Sequence, residues 1–263
     1  MITYAQNLED VLLARAFRAQ STGFYVDVGA MHPSLDSVTR HFYDLGWRGV
    51  NIEPAASHHA RLVEQRPRDT NLRVALAERP GRAVLHRVGT TGLSSLDPGV
   101  FSAAASLGEQ VEDEDVEVTT LAEVCRRHVA DEIDFLKIDV EGLEEQVIRG
   151  GDWKRFRPRV VLVEATRPGT AQPSFETWDP LLLEARYLVA FFDGLNRFYV
   201  RSENAELLQH FTVPVNVFDD WVSHRTVLAE STVEELSTSL KRVKAKRLRS
   251  RLRRAFGVDR ESS

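Results

Sequence analysis

The chain has 263 residues, 43% of them hydrophobic and 28% charged, a globular composition rather than a disordered, fibrous or membrane-spanning one. Its net charge of −5 is unevenly divided: Lys241 to Ser263 holds ten Lys or Arg against two acids, a local +8, which leaves −13 for the rest. The acidic body argues against a nucleic-acid substrate, and the single cysteine, Cys125, permits no internal disulfide and fits a reducing cytoplasm.

The N-terminus, MITYAQNLEDVLLARAF, carries Glu9 and Asp10 and lacks the basic-then-apolar order of a secretory signal. Phe24–Gly29 reads as a strand, followed by a helix over SLDSVTRHFYDLG with Ser34 or Asp36 as cap and Gly46 as stop. Gly49–Pro54 is a second strand, and Ser57 caps the helix SHHARLVEQR, on which His58 and His59 are solvated. Leu72–Ala77 is a third strand and Ala83–Val88 an added β-segment. Gly89 to Asp115, rich in turn residues and acids, reads as a lid that shapes an acceptor pocket. VEVTTLAEVCRRHV gives a short strand and a helix in which Cys125 fills core. Asp134–Val140 is a fourth strand with its helix at Gly142–Gly150, and Val160–Ala165 a fifth. A helix at Trp178–Ala185 and a hairpin of Tyr187–Phe192 with Arg197–Arg201 close the pattern. This alternation predicts an α/β fold, a doubly wound, mostly parallel sheet with an antiparallel edge strand.

In such sheets ligands bind beyond the carboxyl ends of the strands. Here those ends carry Asp27, Glu53, Glu78, Asp139 with Glu141, and Glu164. Acids at strand ends often only cap helices, but five along one edge point to a site. The turn FYVDVGAMHPSLDS narrows the ligand. A dinucleotide pyrophosphate needs the repeated glycines of G-x-G-x-x-G, and this chain has Met31, His32 and Pro33 after Gly29. A methionine arm carries no phosphate and needs one close approach, from Gly29, and a carboxylate for its ammonium, from Asp27. Glu53 is placed to accept hydrogen bonds from both ribose hydroxyls of an adenosine. The broken turn therefore argues against a dinucleotide and is compatible with S-adenosylmethionine (SAM).

The stretches GFYVDVGAMHPSLDSVTRHFYDLGWRGVNIEP and DFLKIDVEGLEEQVIRGG, preceded by YAQNLEDVLLAR, resemble the FkbM family of class I SAM-dependent methyltransferases, with a Rossmann-like sheet. The resemblance runs from the N-terminus to Ala165 and more loosely to Trp221, and Lys137–Gly142 (KIDVEG) is its most specific part. It implies methyl transfer from SAM to a hydroxyl of a saccharide or small metabolite. By that implication Asp27, Gly29 and Ala30 hold the methionine arm, Glu53 the ribose, and Ala77 with Glu78 the adenine. Ser37, Pro54 and Gln6 complete the cofactor set, Gln6 on a segment that closes over the cofactor. A hydroxyl acceptor needs a general base, for which Asp139, Glu141 and His32 are the candidates. Lys137 is read as pointing the other way along its strand and pairing structurally with an acid. A divalent cation held by Asp139, Glu141 and Glu164 is an alternative to the SAM-ammonium role of Asp139 and is not the expectation.

Two other readings stand beside this one: a nicotinamide-dependent oxidoreductase, and a SAM-binding scaffold without catalysis that acts through its tail. The expected division is a methyltransferase domain over 1–222 and a basic amphipathic helix over 223–263. In that helix Leu236, Leu240, Val243, Leu248, Leu252 and Phe256 make an apolar stripe among Lys and Arg. Such a stripe suits a peripheral contact with the inner face of a membrane, a protein partner or a neighbouring subunit.

Overall fold

The computed structural model describes residues 1–88, 94–95 and 111–255. In chain order the elements are β1 (Ile2–Thr3), α1 (Glu9–Ala16), β2 (Phe24–Val28), α2 (Arg40–Asp44), β3 (Arg48–Ile52), α3 (Ala56–Gln65), β4 (Thr70–Leu72), β5 (Ala75–Leu76) and β6 (Gly81–Val88). They continue with β7 (Ser94–Ser95), β8 (Val111–Thr119), α4 (Leu121–His128), β9 (Phe135–Ile138), α5 (Glu144–Arg149) and β10 (Val160–Glu164). The last are α6 (Asp179–Glu184), β11 (Tyr187–Phe192), β12 (Asn196–Arg201), β13 (Val222–Ser223) and α7 (His224–Ala255). Two compact units result: Tyr4–Asp219, and Met1–Thr3 with Asp220–Ser263. The second consists of the parallel pair β1–β13 and the long helix α7.

The larger unit is built on a seven-stranded sheet in the order β11-β12-β10-β9-β2-β3-β4. From β2 the chain builds outward through β3 to β4, then returns to the other side of β2 with β9 and builds outward again. All pairs from β4 to β10 are parallel, and β12 runs antiparallel to both β10 and β11. The antiparallel strand is thus second from the edge, not the edge strand the sequence suggests. Burial explains the order: Phe198, Tyr199 and Val200 of β12 are fully buried, whereas Leu188, Val189 and Phe192 of β11 are exposed.

Period-two alternation sorts the apolar side chains onto the two faces. Val26, Val28, Val50, Ile52, Leu136, Ile138, Val161 and Val163 pack against Leu121, Val124, Val147, Ile148, Trp178 and Leu182. The opposite face sets Tyr25, Phe135, Val160, Leu162 and Phe198 against Leu12, Leu13, Phe17, Phe42 and Trp47. On that second face the next aligned row is polar: Asp27 registers with Asn51 on one side and Lys137 on the other. All three are buried.

Three further expectations are corrected. Leu72–Ala77 is not one strand, because the ladder on β3 ends with Glu53 N–H donating to Leu72 O. The chain then crosses to a second sheet, β5-β8-β6-β7. The helix after the Gly29 turn is only Arg40–Asp44; neither Ser34 nor Asp36 caps it, and Asp36 sits at φ 53°. Helix α3 starts at Ala56 and its cap position is Ala55, so Ser57 lies inside it. The expected lid falls mostly on 89–93 and 96–110, outside the described residues, while its end, 111–115, is strand β8. Cys125 is buried and its thiol is pushed up to about 12 by burial, as a core residue's would be. Among the described residues no helix is long and apolar enough to cross a membrane.

Candidate active site

Beyond the carboxyl ends of β2, β3 and β9 lies a cleft of about 660 Å³, open mouth included. Its floor is Val28, Gly29, Met31 and Ile52, and one wall is Val74 with Ala75, Leu76 and Leu85 of the second sheet. Glu53 and Pro54 line it on the β3 side, and Asp139, Val140, Glu141 and Leu143 on the β9 side. A mostly apolar cleft with a few convergent carboxylates is the usual form of a small-molecule site.

The turn after β2 works with one glycine because the fold supplies the rest. Gly29 has φ 76°, and a Cβ there would stand 1.8 Å from the carbonyl oxygen of Asp139. The close approach the glycine permits is therefore first to the neighbouring strand's backbone. Met31 is left-handed at φ 44°, a conformation costing a side-chain-bearing residue roughly 1–2 kcal/mol, and its N–H donates to Glu53 Oε2 at 2.9 Å. The loop behind is held by fully buried Arg66, which donates to Pro33 O at 3.0 Å, to Tyr25 Oη at 2.8 Å and to Thr39 Oγ1 at 3.0 Å.

Glu53 is buried, yet it lines the cleft. Its two oxygens each accept one backbone N–H, from Met31 and from Ala55 at 2.8 Å, leaving lone pairs for further donors. Burial pushes its carboxyl up to about 7 against the pull of those two hydrogen bonds and of Lys137, and Asp27 adds to the rise. His58, expected on a solvated face, is half-buried with Nδ1 3.9 Å from Glu53 Oε1. Burial, Arg87 and Arg61 hold its pKa below the usual range.

Lys137 is the residue the sequence reading misplaces. Two positions before Asp139 on one strand, it shares that residue's face by the period-two rule, a signal already present in DFLKIDV. Its Nζ donates to Gly29 O at 2.7 Å and lies 3.2 Å from Asp139 Oδ2 and 3.5 Å from Asp27 Oδ1. Burial would lower its pKa, but Asp139 and Asp27 outweigh that and raise it, so the ammonium stays charged. One cation thus ties the glycine turn to two strand ends.

On the β9 side the backbone turns sharply through Glu141 at φ 55° and Gly142 at φ 99°. Glu144 Oε1 accepts the N–H of Val140 and of Gly142, both at 3.1 Å, and so braces this turn. Glu141 is raised to about 7 by burial and by the Asp139 and Glu144 carboxylates. Glu164 is raised further, by burial and then by Asp139, Glu141 and Glu144. Among the described residues no group of three or more His, Cys, Asp or Glu side chains is arranged to hold a metal ion.

Of the expected site residues the cleft brings together Gly29, Glu53, Pro54, Asp139 and Glu141. Asp27 lies behind it: Oδ2 accepts the Thr39 hydroxyl at 2.8 Å and Oδ1 faces Lys137, so its charge is used inside the fold. Ala30 and Ser37 are buried off the cleft, Ser37 with its N–H on Tyr4 O. Ala77 pairs with Thr119, Glu78 is exposed, and the wall expected of them is made instead by Val74, Ala75 and Leu76. Gln6 is exposed, on a segment pinned by Asp10, which accepts the Tyr4 and Ala5 N–H groups, and by Glu9, which accepts from Asn196 at 2.8 Å. His32 is corrected as a base. Its Nδ1 accepts the N–H of Ser34 at 3.1 Å and of Leu35 at 2.9 Å, so the neutral ring carries its proton on Nε2 and has no free nitrogen to take another.

The model of the methyltransferase FkbM domain matches residues 27–189. Among solved structures the chain is similar to an O-methyltransferase from Bacillus cereus in complex with SAH. The two are 12% identical, the match covers 75% of this chain and 82% of that one, and the TM-score is 0.37. None of the curated proteins matches.

Proposed function

The chain belongs to the FkbM methyltransferase family, and from that premise we propose that it is a SAM-dependent methyltransferase acting on a hydroxyl of a saccharide or small metabolite. Under this reading the seven-stranded sheet is the Rossmann-like, doubly wound sheet of class I methyltransferases, and the cleft lies where its strand order reverses. The single observation that carries the reading is Glu53. It is a buried carboxylate at the end of β3, positioned by two backbone N–H groups, facing an apolar cleft beside a turn with one glycine.

These residues fit SAM. Glu53 has acceptor capacity left for two ribose hydroxyls, Val74, Ala75, Leu76 and Leu85 offer an apolar wall for an adenine, and Gly29 with Asp139 faces the remaining arm. Met31 and Pro33 leave no run of glycines for a pyrophosphate, which disfavours a nicotinamide dinucleotide. When bound, SAM supplies a methyl group activated on a sulfonium sulfur. The protein's part is to hold an acceptor hydroxyl in line and to take its proton. Glu141, titrating near neutrality at the cleft edge, is the general base. Asp139, steadied by Lys137, orients the acceptor as a hydrogen-bond acceptor.

Calorimetric titration with SAM and with NADH tests the cofactor: SAM binding is expected, and NADH binding with SAM ignored overturns the reading. Release of label from methyl-labelled SAM into a glycan or metabolite extract tests catalysis. SAM binding without any transfer would leave the non-catalytic scaffold.

A further inference from the structure

The methyl-transfer chemistry leaves helix α7 unused. It spans His224–Ala255, 32 residues and so roughly 48 Å. Ala229, Val233, Leu236, Leu240 and Val243 follow one another at alternating steps of four and three, the a and d positions of a heptad. They are exposed, Leu236 at 65% and Leu240 at 54%. At the centre of the seam the flanking residues, Thr232, Ser237 and Ser239, are short and polar, and towards its ends they are Glu230, Lys244 and Lys246.

Charge chooses among its occupants. Glu230, Glu234 and Glu235 lie on the first half of the helix with Arg225, and nine Lys or Arg between Lys241 and Arg254, with no acid, follow on the second. An anionic bilayer would repel the first half, and residues 224–255 hold no Trp, Tyr or Phe to anchor a helix in an interface. A parallel copy would set acids beside acids and bases beside bases. An antiparallel copy sets the acids of each chain against the bases of the other.

We propose that α7 pairs antiparallel with the same helix of a second copy of this chain, about a two-fold axis level with Thr238. In that register Val233 meets Val243 of the partner subunit and Leu236 meets Leu240 of the partner subunit. Glu230 then lies beside Lys244 of the partner subunit, once on each side of the axis. Such an interface is isologous and closes as a dimer. With a seam this short, the dimer is weak and depends on concentration.

Sedimentation velocity of the full-length chain over a dilution series is expected to show a monomer–dimer equilibrium that the double substitution Leu236→Glu/Leu240→Glu abolishes while SAM binding persists. Reversing only the acids (Glu230→Lys, Glu234→Lys, Glu235→Lys) should abolish it too. Adding Lys244→Glu to that chain should restore it in part, because positions 230 and 244 again carry opposite charges across the axis. Ser239→Cys should form a disulfide with its own copy and Val233→Cys should not. The proposal is overturned by a chain that stays monomeric at every concentration, by a dimer that survives the seam substitutions, or by cross-linking through Val233→Cys instead of Ser239→Cys. A monomer that sediments with phosphatidylserine vesicles would assign the helix to a membrane and overturn it equally.

Discussion

The acids at the ends of β2 and β3 and those at the ends of β9 and β10 sit a few residues from the same cleft but have different surroundings. On the first side the fold supplies the donors. Asp27 takes the Thr39 hydroxyl and faces Lys137, and Glu53 takes two backbone N–H groups. On the second side Asp139, Glu141 and Glu164 crowd one another, with Glu144 committed to bracing the turn. Exposure follows suit: the Asp27 side chain is 2% accessible and that of Asp139 37%. Glu53 is fixed in place by its two N–H donors, whereas Glu141, at the cleft edge, has its carboxyl raised to about 7 by burial and by the Asp139 and Glu144 carboxylates. The cofactor side is thus expected to be rigid and the acceptor side chemically active.

Glu141→Gln tests the active side most directly. Removing a general base should lower kcat by about 10²–10⁴ while SAM affinity is preserved. In the unsubstituted protein kcat should rise with pH through about 7, because the protonated Glu141 carboxyl cannot accept a proton. The variant should lose that limb. A limb that persists would remove Glu141 from the base role.

Lys137 joins the two sides, and Lys137→Met should break both. Two buried or half-buried acids lose their counter-charge and Gly29 O loses its donor, a destabilisation of about 3–5 kcal/mol by urea unfolding. Adding Asp27→Asn should recover part of it, since the two residues interact directly. Strict additivity would show that the cation does not couple the strands.

Glu53→Ala tests the rigid side. It removes two charge-assisted hydrogen bonds of about 1.5–3 kcal/mol each at most, so SAM affinity should fall about tenfold or more. Affinity in the unsubstituted protein should also weaken as pH falls through about 7, where Glu53 takes up the proton that displaces its hydroxyl donors, and the variant should be flat. Unchanged binding in calorimetry would place the ribose elsewhere.

The smallest effect is expected from His32→Ala. Its ring nitrogen serves only the Ser34 and Leu35 N–H groups here, so the loss should be about 0.5–1.5 kcal/mol of stability. The pH limb of kcat should be unaltered. If the limb disappears with His32, the base lies on the cofactor side and the contrast between the two sides fails.

The amino-acid sequence by itself determined the elements and the edge of the sheet that matters. Runs such as FYVDV, FLKI and VVLVE are apolar on both faces through most of their length because helices cover both, and the charged residues gather at their carboxyl ends. Gly29 and Glu53 were legible for the same local reason: a left-handed turn and a strand-end acid are written within a few residues. What only the tertiary structure decided depends on contacts between distant segments. That Asp27 faces Lys137 rather than the cleft follows from the register of β2 with β9, 110 residues apart in the Phe24–Asp134 contact that opens the pair. That Val74, Ala75 and Leu76 form a wall while Ala77 and Glu78 do not follows from the crossing of the chain to a second sheet. The same holds for His32, whose turn wraps back onto its own ring, and for β12, inserted beside β10 because it is the more completely buried strand of its hairpin. Alternation along a strand assigns a residue to a face, but which donors meet it there is settled by neighbours that local patterning does not encode.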